Sequence, residues 1–252
     1  MIDVNVNLSR WPFRRVPCDE PTRLVDALQR GGITQAWTAT LDGLFHRDVG
    51  GANARLVDEC RRYGAGLLAP FGCVNPMLPD WREDLRRCRR EHKMPGIRLH
   101  PNYHGYRLDD AALADLLKEA AREGLIVQIA LRMDDVRVQH PLGRVADVDP
   151  APLAKVLAEG AHPPVIVLNA KRLGDTERLR KLEGVYFDCA MWEGLGGIAA
   201  LIAATSAQRV LFGSHLPLFP LDSSLLKLRE SELPAAQVEA VRRENARRLL
   251  NL

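Results

Sequence analysis

Short apolar or β-branched runs alternate with longer amphipathic, charge-rich segments along the whole chain. The apolar runs have strand length and predict strands over residues 2–7, 35–40, 66–74, 96–100, 126–131, 165–169, 185–189 and 209–213. Helical periodicity fills the gaps at 21–30, 52–63, 81–92, 110–123, 152–159, 176–182 and 194–204, and two further helices over 223–230 and 235–250 close the chain. Gly31-Gly32 and Gly124 follow predicted helices as C-terminal caps, and Asp109 is placed as an N-cap. Strict βα alternation implies parallel strands joined by right-handed crossovers. Eight such strands predict an α/β fold, a single (β/α)8 TIM barrel over 1–252 with an additional C-terminal helix. An open doubly wound sheet is the runner-up; no GxGxxG or GxxxxGK[ST] follows a strand to support it.

Composition leaves that picture intact and removes several partners. The chain has 252 residues, close to the roughly 250 typical of one barrel. Lys plus Arg is 35 against 32 for Asp plus Glu, so neither nucleic acid nor an anionic membrane is expected. The basic segment 81–93 is interrupted by Glu83, Asp84 and Glu91 and reads as a solvated helix face. The opening residues lack the pattern of a signal peptide, and no apolar run approaches a membrane span. Five scattered cysteines without a CxxC are expected to be reduced, which points to a cytoplasmic protein.

A barrel carries its site on the C-terminal ends of its strands. Of seven histidines, His46, His100, His104, His140 and His215 fall at or just after a predicted strand end, while His92 and His162 precede strands. Taken singly, each is a surface or packing residue; the group of five favours a functional face. Arg10, Trp11, Arg14, Arg98, Arg132, Asp134, Asp135, Lys171 and Arg172 gather at the same ends. Arginine presents a planar fork that suits carboxylate or phosphate, so an anionic small-molecule substrate is expected. No GxSxG, HExxH or P-loop is present.

Six segments in order resemble the amidohydrolase superfamily, closest in type to its amidohydrolase-2 branch of metal-dependent hydrolases and nonoxidative decarboxylases. Ile2-Asp3-Val4-Asn5-Val6-Asn7 resembles the first strand, which carries an HxH metal motif in the family. The stretches 96–101, 126–130 and 164–169 are similar to the fourth, fifth and sixth strands, 209–217 to the eighth, and 244–250 to the closing helix. Residue by residue, the family's metal ligands fall on Asn5, Asn7, Ala130, Asn169 and His215, so no ligand position keeps its usual residue. Zinc prefers imidazole, thiolate or carboxylate. The resemblance therefore implies the fold without the usual metal.

Three readings follow. In the first, the protein is a hydrolase or nonoxidative decarboxylase without that metal. His100 and His215 would be catalytic acid or base, and Asn5, Asn7, Arg98, His104, Arg132, Asn169 and Lys171 would bind a small anionic substrate. In the second, it is a noncatalytic relative that binds a small molecule or a protein. In the third, a divalent metal such as zinc sits at a relocated site built from the five strand-end histidines. A homodimer is an open expectation.

Overall fold

The computed structural model describes residues 1–194 and 196–251. In chain order the elements are β1 (Ile2–Leu8), α1 (Pro21–Arg30), β2 (Gln35–Thr40), α2 (Val49–Gly64), β3 (Leu68–Pro70), β4 (Gly72–Cys73), α3 (Trp81–Arg90), β5 (Gly96–Leu99), α4 (Pro101–His104) and α5 (Ala111–Arg122). They continue with β6 (Ile126–Ala130), α6 (Leu153–Ala158), β7 (Val165–Leu168), β8 (Val185–Asp188), α7 (Gly197–Ala204), β9 (Val210–Leu211), α8 (Leu221–Arg229), α9 (Ala235–Glu239) and α10 (Asn245–Leu249). A π-turn over Ala240–Glu244 joins α9 to α10, so the predicted closing helix is continuous.

Every strand pair is parallel, in the orders β1-β2-β3 and β4-β5-β6-β7-β8-β9. Two sets of hydrogen bonds turn these ladders into a ring. Phe71 N donates to Thr38 O at 2.8 Å, so β3 and β4 are one stave interrupted at a single residue. Pro70 lacks an N–H and breaks the ladder there. On the other side, Val4 N donates to Phe212 O (2.9 Å), His215 N to Asn5 O (2.8 Å) and Asn7 N to Leu216 O (2.8 Å). Counting β3 and β4 as one, the nine strands among the described residues make eight staves.

Both faces of the staves are buried, which explains their continuous apolar runs. Ile126, Ile166, Leu168 and Leu211 point into the barrel with Trp37 and Phe71, whose rings stack at 4.8 Å. Val127, Ile129, Val165 and Val167 point outward onto helix residues such as Leu24, Leu56, Leu113 and Leu116. The alternation is the period of two expected of a strand.

Three sequence expectations change in the structure. The single strand over 66–74 is the broken β3–β4 stave. Residues 176–182 form turns after a short 3-10 segment, Leu173–Asp175, rather than a helix. The Arg209 guanidinium binds the end of that segment, donating to the carbonyls of Leu179 and Arg180 and to Val185 O of β8. The helix over 194–204 starts only at Gly197, because Gly194 and Gly196 have φ of +90° and +67°. Leu195, within that span, lies outside the described residues. Among the described residues, no helix is long and apolar enough to cross a membrane.

Gly96 tests the inner packing. A Cβ there would meet Ile126 O at 2.5 Å and the Phe71 ring at 2.4 Å. The carbonyl belongs to the β5–β6 ladder and cannot swing aside. Gly96→Ala is expected to cost about 2 kcal/mol or more, lowering Tm by roughly 4–8 °C. An unchanged melting curve would show that this stave is looser than drawn.

Candidate functional site

Arg98 leaves β5 and crosses the barrel toward β1, fully buried. All five of its N–H groups are used. Nε donates to Gln128 Oε1 (2.8 Å); one terminal nitrogen donates to Val6 O (3.0 Å) and Asn7 Oδ1 (2.8 Å); the other donates to Val4 O (3.3 Å) and Trp37 O (3.2 Å). Burial lowers its pKa to about 10, with Asp188 and Asp3 pulling the other way, so it stays charged at neutral pH. With no donor left over, this arginine ties strands together in the observed state and does not face a ligand.

Above it lie the positions that correspond to the family's metal ligands. Unambiguous partners set the orientation of each amide. Asn5 Nδ2 donates to Asp188 Oδ2 (2.7 Å) and Asn169 Oδ1 (2.8 Å). Asn169 Nδ2 donates to Arg132 O (2.7 Å), and Asn7 Oδ1 accepts from Arg98. His215 Nε2 sits 2.7 Å from Met133 O, so that nitrogen carries the proton and Nδ1 presents a lone pair. Asn7 Nδ2 and Asn169 Nδ2 approach Nδ1 at 3.5 and 3.4 Å, while Asn5 Oδ1, at 3.4 Å, is a contact without a proton between. Asn169 and His215 both take left-handed φ, +62° and +61°, at the ends of their staves. That conformation costs a β-substituted residue about 1–3 kcal/mol, which the surrounding bonds must offset.

This centre does not suit a divalent cation. Amide N–H groups face the point where lone pairs are needed, and Ala130 supplies no ligand. Among the described residues, no three His, Cys, Asp or Glu side chains converge as metal ligands would. Burial pushes the His215 pKa down to about 4, so its ring is neutral at pH 7.

The other candidates separate. His100 is fully buried at the end of β5, and burial holds its pKa well below the ordinary value. His104 reaches Gly43 O through Nε2 at 2.9 Å. Arg132 is occupied by Asp147 (2.8 Å), Asp175 (3.1 Å) and the Asn169 carbonyl. His46 and His140 are exposed, and His140 stacks on Phe13 at 5.1 Å. Lys171 is half-exposed, and its Nζ lies 4.0 Å from Asp135 Oδ2.

Open space lies above this polar layer. A cavity of about 580 Å³ is lined by Arg14, Asp134, Asp135, Arg137, Val138, Lys171, Met191, Glu193, Leu218, Phe219 and Pro220. Its wall residue Phe219 packs on His215, with ring centroids 5.7 Å apart. Of the candidate binding residues only Lys171 lines it. Asp134 was one of the charges gathered after the fifth predicted strand, yet nothing in the sequence sets it apart. The structure buries it at the cavity, where desolvation raises its pKa and Arg14 pairs with it at 3.3 Å. Asp3 and Asp188 were also missed; a carboxylate inside an otherwise apolar strand was the available signal. Asp3 Oδ1 accepts from Asn5 N and Ser214 N, both at 3.0 Å, and joins β1 to the end of β9.

The amidohydrolase family model matches residues 8–252. The fold is similar to that of a 2,6-dihydroxybenzoate decarboxylase solved with 2,6-dihydroxybenzoate, at 15% identity and a TM-score of 0.79 over 100% of this chain and 99% of that one. It is also similar to a dihydroxybenzoic acid decarboxylase from a Polaromonas species, solved with manganese and 2-nitroresorcinol (14%, TM-score 0.77, 100% and 96%). A third is a 5-carboxyvanillate decarboxylase from Novosphingobium aromaticivorans solved with manganese (15%, TM-score 0.71, 91% and 80%). No curated protein matches the chain.

Two outcomes test this layer. Arg98→Met removes the donor shared by five acceptors in the barrel and is expected to cost about 3 kcal/mol or more, on the order of breaking a buried polar network; urea unfolding reads it. Burial pushes the Asp3 carboxyl up to about 7 from 3.8. A folded pKa above the unfolded one gives stability that is full below about pH 4 and falls as pH rises toward 7. Asp3→Asn is therefore expected to flatten the decline of Tm between pH 4.5 and 8; an unaltered slope would assign the decline to other groups.

Proposed function

The chain belongs to the amidohydrolase family, and from that premise we propose that it acts on a small anionic molecule at the barrel mouth, as a hydrolase or nonoxidative decarboxylase, without the family's usual metal. One observation carries the reading: the cavity over His215 sets three cations, Arg14, Arg137 and Lys171, and three carboxylates, Asp134, Asp135 and Glu193, around an apolar floor. Arg14, Arg137 and Lys171 can meet a carboxylate. Met191, Leu218 and Phe219 can hold the body of the molecule.

The cations are available despite their acidic neighbours. Arg14–Asp134 and Lys171–Asp135 are spaced at 3.3 and 4.0 Å, and exposed Arg137 pairs with Asp135 through two bonds of 2.9 and 3.0 Å, with the basic partner at least partly exposed in each. Such pairs are worth about 0–1 kcal/mol, so an incoming anion can compete for them. Asp134, with its raised pKa and its place on the wall, is the best-placed proton carrier. His215 lies one side chain below, neutral, with its free lone pair on Nδ1 facing the Asn7 and Asn169 amides. His100, fully buried at the end of β5, is the second candidate acid or base. The same reading puts the protein in the cytoplasm, alone or as a homodimer, with its cysteines reduced. Buried Cys60, Cys73 and Cys189 are pushed up to about 12, which makes their thiols inert.

A noncatalytic relative is the second reading, and one observation favours it: His215 and His100 are both fully buried, and burial lowers the pKa of each.

Benzoate and benzamide separate charge from shape. Benzoate is expected to raise Tm saturably and benzamide far less. Arg14→Ala with Lys171→Ala should weaken benzoate about tenfold, or about 1.4 kcal/mol, and EDTA should change nothing. Turnover of small aromatic carboxylates and lactones by EDTA-treated protein would support the enzyme; saturable binding without turnover would support the binder. Activity that appears only on adding manganese or zinc would sink the metal-free reading.

A further inference from the structure

A second cavity, of about 570 Å³, lies beside the one over His215. It opens between the segment after β1 and the segment that joins β9 to α8, and Arg14, Leu218, Phe219 and Pro220 wall both cavities. Its charges are unequal: Arg14, Arg15, Arg30 and Arg229 stand against Asp222. Arg14 pairs with Asp134 at 3.3 Å and Arg15 with Asp19 at 2.9 Å. Among the described residues, Arg30 and Arg229 have no carboxylate partner.

The packing of α1 on α8 brings these two arginines to one wall. A Cβ at Gly31, the residue after α1, would lie 2.6 Å from Leu221 and 3.3 Å from Leu225, so the end of α1 abuts the face of α8 that carries both leucines. Residues four apart share a helix face, and Arg229 follows Leu225 by four. Arg30 and Arg229 therefore flank this contact. Asp222 lies seven residues before Arg229, roughly 10 Å along α8, and does not neutralise it. Each arginine occupies the last turn of its helix, where the end carbonyls favour a cation. That accounts for each arginine singly, and it sets two like charges on one cavity.

We propose that this cavity is a second binding site, for a phosphate monoester with an apolar body. A phosphate monoester carries about −1.5 to −2 charges at neutral pH, which matches two guanidiniums, whereas a monocarboxylate matches one. Its three terminal oxygens accept the paired N–H groups of a guanidinium fork. Val16, Ala27, Leu216 and Leu225 form the apolar wall on which the body packs.

Cys18 lines the same cavity and reports on it. It is half-buried, while Cys60, Cys73, Cys88 and Cys189 are buried, so iodoacetamide should label Cys18 first. Phenyl phosphate is expected to slow that labelling about fivefold and saturably, read by mass spectrometry of the Cys18 peptide, and to raise Tm. Inorganic phosphate and phenol should each protect far less, because each offers only half of the ligand. Arg30→Ala with Arg229→Ala should weaken phenyl phosphate about tenfold. The response to benzoate should stay as it was, since neither arginine lines the cavity over His215. Both side chains are exposed, so the double variant is expected to fold; should it not, labelling of the unaltered protein decides. Cys18 labelling untouched by phenyl phosphate, or a Tm gain that survives the double variant, would overturn the proposal. Equal protection by inorganic phosphate would overturn it too, by marking a site for the free ion. Failure of benzoate to bind bears only on the cavity over His215.

Discussion

A guanidinium inside a barrel is tolerable only if its donors are all met, and Arg98 meets them with five acceptors from β1, β2 and β6. Three of these are main-chain carbonyls, of Val4, Val6 and Trp37. The bond to Asn7 passes the constraint upward, because it orients the amide so that its N–H side faces His215. Val4 O accepts from Gln128 as well, so one carbonyl of β1 is held by two side chains. The barrel thus has an apolar floor around Trp37 and Phe71 and a polar storey held together by one cation.

Two buried carboxylates complete that storey. Asp3 fastens β1 to Ser214 across the closure of the ring. Asp188 holds Asn5 through one oxygen and the Asn169 backbone through the other. Gly213 leaves room for this: a Cβ there would lie 2.6 Å from Asp188 Oδ2 and 3.1 Å from Asn5 Cβ. Positions where the family resemblance implies metal ligands are therefore bound to one another. Neutral amides occupy those positions and bond to one another and to the buried Asp188 and Arg98, and the open space lies above them, in the cavity walled by Arg14, Lys171 and Asp134.

Strand and helix periods carry the architecture in the chain itself. Val165–Leu168 is apolar on both faces, and Ile126–Ala130 is so except at Gln128, because helices cover one face and the barrel core the other, and such runs are visible without a structure. Local chemistry then overrides period in a few places. Pro70 divides a stave, Gly194 and Gly196 delay a helix, and Arg209 binds two carbonyls of the turns that stand where another helix was expected. The first two causes are readable as residues; the third is not, since Arg209 lies 29 residues beyond Arg180.

The candidate residues divide along the same line. Their positions at strand ends follow from the strand period, so Asn5, Asn7, Asn169 and His215 could be placed on one end of one barrel from the sequence, and the lack of imidazole at the family positions could be read directly. Which atoms face one another could not. Arg98 reads as a substrate arginine until five acceptors from three other strands surround it, and Arg132 until Asp147 and Asp175 do. Asp134 is one of several charges in a loop until burial raises its pKa beside an open cavity. Periodicity is a local property that the chain carries along its length. Whether a polar group is spent or free depends on partners up to 211 residues away, as for Asp3 and Ser214, and only the closed barrel brings them together.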